Sequence, residues 1–126
     1  MAHFYISIYN QAPLACVIDS GVFSGNPLLS SVIVGEEDFD LTENTPSDTS
    51  GHGTGVAGIV VYGDFHNYDR ENRIFVPLVR ICNGKVMHRD TSYDQTVYRS
   101  DKRPEQIIGE TIRYFHKEYL FLIHYF

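Results

Sequence analysis

Compact apolar runs that alternate with segments of helical periodicity constrain the fold of this 126-residue chain more than any other feature. The run LACVID, residues 14–19, is short and is closed by Ser20 and Gly21, which is typical of a buried strand in a parallel sheet. Residues 51–62 place Val56, Ile59 and Val60 at helical spacing, so we predict a helix there despite its glycines.

The other predicted elements continue this alternation. In chain order they are an edge strand (4–9), a short helix that starts at Asn26-Pro27, a strand (32–34), a strand (74–82), a helix (104–119) and a strand (119–126). Right-handed crossovers between such elements give an α/β fold, a mostly parallel sheet with helices on both faces. We expect one domain over residues 1–126.

Two stretches between these elements carry weaker signals. Residues 36–50 are acidic and rich in Ser, Thr and Pro, which predicts a surface loop, and residues 88–102 are polar without a clear period.

Pro77 lies inside the strand pattern 74–82 and cannot donate to a ladder. Asn83-Gly84 directly after it predicts a tight turn.

Composition excludes some classes of function. The net charge of −6 argues against a nucleic-acid surface, which is normally basic. No apolar run is long enough for a membrane span, and the N-terminus lacks the pattern of a signal peptide, so we expect a cytoplasmic protein that binds neither nucleic acid nor membrane. Cys16 and Cys82 lie in apolar runs and are expected to be buried free thiols.

Asp19 and His52 are the candidate catalytic residues. Asp19 ends a predicted strand and His52 starts a predicted helix, so both can reach the crevice beyond the carboxyl ends of the strands. An aspartate that bonds a histidine orients the ring and stabilises the imidazolium. The positive end of the helix is expected to act the other way and keep His52 neutral, as a base must be.

The residues around His52 are small or can cap a helix. Gly51 and Gly53 allow close backbone approach or unusual dihedral angles, and Ala57 and Gly58 are expected to let the helix lie tightly on the sheet. The preceding residues can all cap the helix: Asp48, Thr49 and Ser50. Each site residue alone also has a structural interpretation, because an aspartate after a strand forms turns and a histidine at a helix start caps it.

The order of VIDSGV, NPLL and GHGTGVAGI, with Asp19 and His52 separated by 33 residues, closely resembles the subtilisin-like serine peptidase family. The resemblance extends over most of residues 15–126. It implies a subtilisin-like fold, hydrolysis of peptide bonds in a peptide or protein substrate, and the Asp and His roles for Asp19 and His52. Gly55 departs from the pattern, since many members carry a second histidine there.

The family's nucleophile is missing from the sequence. Members carry the triad in the order Asp, His, Ser, with the serine in a later Gly-Thr-Ser-x-Ala motif and an asparagine before it in the oxyanion hole. Neither motif occurs here, and every candidate serine has another context: Ser20, Ser24, Ser47, Ser50, Ser92 and Ser100. The resemblance therefore implies an incomplete, N-terminal part that is inactive alone.

Three explanations stay open at this point. The chain is a truncated or decayed subtilase, one half of a split protease, or a non-catalytic protein-interaction domain on the same scaffold. In the predicted strand 119–126 an apolar edge would invite a complementary chain.

Other candidate sites are weaker. Asp64, His66 and Asp69 fit no metal pattern, so we expect no metal and no cofactor. The resemblance places Tyr93 and Tyr98 where the family shapes its substrate groove.

Overall fold

The computed structural model describes residues 5–6, 12–63, 74–119 and 123–125. In chain order the elements are β1 (Tyr5–Ile6), β2 (Leu14–Asp19), β3 (Ile33–Asp38), α1 (His52–Tyr62), β4 (Ile74–Phe75), β5 (Arg80–Lys85), β6 (Met87–Asp90), β7 (Gln95–Tyr98), α2 (Pro104–Glu118) and β8 (Ile123–Tyr125). Neither helix is long and apolar enough to cross a membrane.

The central sheet has the strand order β3-β5-β2-β8, and every pairing in it is parallel. The prediction of a mostly parallel α/β fold is therefore confirmed. Lys85 lies in register with Asp19 on one side and with Asp38 on the other, so three strands end at the same edge. Loops beyond this edge are the expected place for a site.

The two helices pack on opposite faces of the sheet. Side chains alternate along a strand, so Ala15 and Val17 of β2 share one face and Leu14 and Cys16 share the other. The first pair packs with buried Ala57 and Val61 of α1, and the second pair packs with Phe115 of α2. Helices on both faces are confirmed.

The strand predicted over residues 74–82 is two strands. Pro77 lies in the gap between β4 and β5. The tight turn predicted at Asn83-Gly84 is wrong, because both residues are buried inside β5. A Cβ at Gly84 would press against Thr111 and Phe115, so the glycine makes room for α2 rather than for a turn.

Three further predictions are corrected by the structure. The short helix at Asn26 is a turn, in which the carbonyl of Asn26 accepts from the amides of Leu29 and Ser30. The third strand is longer than residues 32–34 and extends to Asp38, into the predicted surface loop. The stretch without a clear period contains an antiparallel hairpin, β6 and β7.

The ends of the chain are described only in part. β1 pairs with β4 in a separate two-stranded sheet, and β8 lies at the edge of the central sheet beside β2. The apolar edge predicted for residues 120–126 and the candidate metal residues Asp64, His66 and Asp69 lie outside the residues whose side chains are described.

Two glycines at the start of α1 have the roles that their positions predict. Gly51 has φ 91°, a left-handed conformation that disfavours other residues. A Cβ at Gly53 would overlap the carbonyl oxygen of Gly21, so this glycine allows the helix start to lie against the end of β2. Ala57 is fully buried, as its predicted packing role requires. A Cβ added at Gly58 would meet nothing within 4 Å, so the packing role predicted for this glycine is wrong.

We expect Gly53→Ala to destabilise the fold by about 1–3 kcal/mol, because the added methyl group meets backbone that cannot rotate away. Gly58→Ala is the matched control, since it adds the same group in open space and should stabilise the helix by up to about 1 kcal/mol. Urea unfolding of both variants measures the difference. Equal effects of the two changes would contradict the packing argument.

Candidate active site

Asp19 and His52 meet at the carboxyl edge of the sheet. The distance from His52 Nδ1 to Asp19 Oδ1 is 2.7 Å. The aspartate ends β2 with 11% of its side chain exposed, and the histidine starts α1 with 61% exposed. The pair thus combines a shielded carboxylate with an imidazole that is open to solvent.

The geometry fixes the roles of the ring nitrogens. A carboxylate can only accept, so in the neutral ring Nδ1 carries the hydrogen and Nε2 carries the lone pair. Asp19 Oδ1 also accepts from the amide of Ser20 at 2.7 Å, which restrains the carboxylate. Nε2 is therefore the atom that can take a proton from another group.

The carboxylate determines the charge preference of His52. The hydrogen bond to Asp19, with the attraction of its charge and a smaller one from Asp48, raises the pKa of His52 above its usual range. The expected effect of the helix start, which would favour the neutral ring, stays a prediction, and the carboxylate acts in the opposite direction. Asp19 favours the imidazolium, the form that a base passes through in catalysis.

Asp48 joins the end of β2 to the start of α1. Its Oδ1 accepts from the hydroxyl of Ser20 and the amide of Ser50, both at 2.9 Å, and its Oδ2 accepts from the amide and the hydroxyl of Thr54. The Ser20 hydroxyl in turn accepts from the amide of Gly53 at 2.9 Å. These bonds satisfy the free amides at the helix start and place His52 beside Asp19.

A buried cation holds the loop that carries Asp48. Lys85 is fully buried, and its Nζ donates to the carbonyl of Ser47 at 2.7 Å and to Glu43 Oε1 at 2.9 Å. Asn83, also fully buried, donates to the carbonyl of Pro46 at 2.9 Å. Residues 39–51 therefore lie over the carboxyl edge in a fixed path.

The sequence that forms these elements and carries both site residues matches a known family. A model of the subtilase family matches residues 10–101, most of the chain and both site residues.

The chain belongs to the subtilase family.

The match ends before α2, so the resemblance expected for the last helix and strand is not part of it. A comparison with curated proteins gives no match.

The serines nearest to the pair in this subtilase have other partners. The Ser20 hydroxyl is bonded to Asp48 and Gly53, and the Ser50 hydroxyl is bonded to Thr96 at 2.6 Å. Within the described residues, the hydrogen bond of the His52 ring is the one to Asp19. Neither serine is thus arranged as a nucleophile beside Nε2.

Sequence reasoning found the pair but missed most of the residues that position it. Asp48 and Ser50 are predicted as helix caps, but the N-cap residue is Gly51. The side chains of Asp48 and Ser50 accept from the amides of Thr54 and His52, although both residues precede the N-cap. Lys85 and Asn83 gave no signal, because a lysine and an asparagine beside a glycine are usually exposed. Their place in a strand that ends at the site could have indicated them.

A second histidine–aspartate contact lies on the hairpin side of this edge. His88 Nδ1 is 2.9 Å from Oδ1 of Asp40, which is fully buried. Cys16 and Cys82 are buried free thiols in neighbouring strand positions, as predicted, and burial raises the pKa of each to about 12. No cluster of three metal-binding side chains occurs among the described residues.

We expect Asp19→Asn to lower the pKa of His52, because the amide removes the negative charge and leaves only a neutral, weaker acceptor for the ring. Because the pKa of His52 is raised in the folded state, the protonated ring stabilises the fold at low pH. This stabilisation is lost as pH rises through the pKa of the folded state. An NMR titration of the imidazole measures the change. Glu105→Gln removes an exposed charge on α2 as the control, and an equal fall in both variants would contradict the assignment.

We expect Asp48→Asn to destabilise the fold by about 2–4 kcal/mol at neutral pH, because an amide cannot accept at both oxygens. Burial alone would raise the pKa of Asp48, but its hydrogen bonds from Thr54, Gly51 and Ser20 outweigh burial and lower it. The ionised Asp48 therefore stabilises the fold at pH values above the usual pKa of a carboxyl group. This stabilisation is lost as pH falls through the lowered pKa of the folded state.

Urea unfolding from neutral to acidic pH checks this prediction, and the wild-type and variant curves should converge on acidification. Asp94→Asn, at a side chain that is 78% exposed, is the control and should change stability by less than about 0.5 kcal/mol. A pH-independent difference would show that the charge of Asp48 is not what matters.

Proposed function

We propose that this chain supplies the acid–base half of a serine-type peptide-bond hydrolase, with Asp19 and His52 in the Asp and His roles. The observation that carries the proposal is the 2.7 Å bond between His52 Nδ1 and Asp19 Oδ1, beside the carboxyl edge of the sheet. The bond leaves Nε2 available and the ring accessible. Membership of the subtilase family supports the reaction class.

The proposed chemistry follows from that arrangement. His52 Nε2 takes the proton of a serine hydroxyl as the serine oxygen attacks the carbonyl carbon of the scissile peptide bond. Asp19 stabilises the imidazolium that forms. His52 then gives the proton to the leaving amine, and an acyl-enzyme remains that a water molecule hydrolyses with the same histidine as base.

The serine in this proposal comes from residues outside this sequence, together with the oxyanion-hole donors. Two observations support it: Ser20 and Ser50 are bonded elsewhere, and the buried amide of Asn83 is engaged by the backbone of Pro46. The 126 residues alone are therefore proposed to be inactive. Further residues of the same polypeptide or a second chain can provide the rest.

The place where such residues add is proposed to be the β8 edge of the central sheet. β8 pairs with β2 on one side and is the last strand of the described sheet. A parallel strand that adds there would enlarge the same carboxyl edge, at which Asp19 and His52 lie. Substrate contact is proposed for the hairpin, where Tyr93 is 75% exposed near the turn between β6 and β7.

A fluorescent serine-directed phosphonate tests the proposal. We expect no labelling of the purified 126 residues, and labelling of a serine outside them when the adjoining coding sequence or a complementing chain is present. His52→Ala should then lower the labelling rate by several orders of magnitude, because loss of the base costs a triad enzyme about a million-fold.

Ser30→Ala is the matched control, since Ser30 is exposed in the turn before β3, away from the hairpin, and should leave labelling unchanged. Labelling of the isolated chain, or labelling that His52→Ala does not slow, would overturn the proposal. Absence of labelling in every arrangement would favour the non-catalytic interaction domain.

A further inference from the structure

The β6–β7 hairpin contacts the loop of residues 39–51 through two pairs of side chains. On β6, His88 bonds Asp40 at 2.9 Å, and the Asp40 side chain is fully buried. On β7, the Thr96 hydroxyl bonds the Ser50 hydroxyl at 2.6 Å. Both strands of the hairpin are thus tied to the segment that leads into α1.

The Ser50 contact lies two residues before His52. Ser50 Oγ also accepts from the His52 amide at 3.4 Å, a long bond that depends on the rotamer of the serine. When Ser50 donates its hydrogen to Thr96, its lone pairs are left for that amide. When Thr96 donates instead, a Ser50 lone pair still remains for the amide, so in either direction the contact holds Ser50 Oγ in the orientation that accepts from His52.

The hairpin can hold this orientation because its own position is fixed. The carbonyl of Lys85 accepts from the amides of Phe39 and Asp40, which joins the loop to the strand that leads into β6. The pairing of Asp40 with His88 adds a second link along the same strand. Thr96, opposite Arg89 in the hairpin register, is carried by this frame.

We propose that Thr96 is a positioning residue for His52, acting through the Ser50 hydroxyl to hold the ring against Asp19. Its catalytic meaning rests on the proposed function above, but its structural effect does not. The sequence gives no reason to connect a threonine in the hairpin with a histidine 44 residues earlier. The contact exists only because the hairpin folds back over the carboxyl edge.

The test uses the purified 126 residues and needs no activity. Thr96→Val keeps the shape of the side chain and removes the hydroxyl, Thr96→Ser keeps the hydroxyl, and Thr91→Val removes an exposed hydroxyl in the hairpin turn as the control. Two quantities are measured by NMR: the pKa of the His52 ring and the hydrogen-exchange rate of the His52 amide.

We expect Thr96→Val to lower the pKa of His52 towards its usual value, because the bond to Asp19 is held less closely. The His52 amide should exchange about fivefold faster, as loss of one hydrogen bond implies. Thr96→Ser should match wild type in both measurements, and so should Thr91→Val. A general loss of stability would not change the pKa of one ring in the folded state.

Ser50→Ala removes the other hydroxyl of the same hydrogen bond. It provides a second test if Thr96→Val fails to fold. It should lower the pKa in the same direction, and the double variant should show no additive effect. An unchanged pKa in a folded Thr96→Val or Ser50→Ala protein would overturn the proposal, as would failure of Thr96→Ser to restore it. Phosphonate labelling is a separate result, so either proposal can fail alone.

Discussion

The Asp48 carboxylate accepts hydrogen bonds from three places that are separate in the sequence: Ser20 after β2, Ser50 in the loop and Thr54 in α1. A carboxylate in this position cannot be replaced by a neutral group without leaving donors unpaired. Because all its donors lie within two residues of Asp19 or His52, the same bonds that stabilise the fold also bring these two residues together. The stability of the fold and the position of His52 beside Asp19 therefore both depend on the Asp48 carboxylate.

The polar residues beneath the loop extend this constraint. Lys85 and Asn83 are fully buried at the end of a central strand, where apolar side chains would be expected. Asn83 donates to the backbone carbonyl of Pro46, and Lys85 donates to that of Ser47. These two side chains therefore fix a loop that is not paired with a neighbouring strand. A buried charge with few partners would be costly, so the path of the loop is tightly specified.

Much of the fold could be predicted from local patterns. Periodicity identified β2, α1 and α2, and the carboxyl-edge rule brought Asp19 and His52 to one place. The predictions failed where tertiary contacts reverse a local preference. Asn83-Gly84 has the composition of a turn, but Phe115 of α2 needs the space above Gly84, so the pair lies inside β5. The hairpin was missed because the alternation of apolar and polar residues in its two strands is weak.

The sequence by itself determined the alternation of elements, the family and the two candidate site residues, Asp19 and His52, because motifs and periods are local properties. Only the tertiary structure decided what holds those residues in place. Asp48 and Thr96 bond hydroxyls and amides of other segments, and Lys85 bonds the carbonyl of Ser47 and the carboxylate of Glu43, contacts that no local pattern indicates. It also placed the Asp19 carboxylate 2.7 Å from the His52 ring, and this contact raises the pKa of His52.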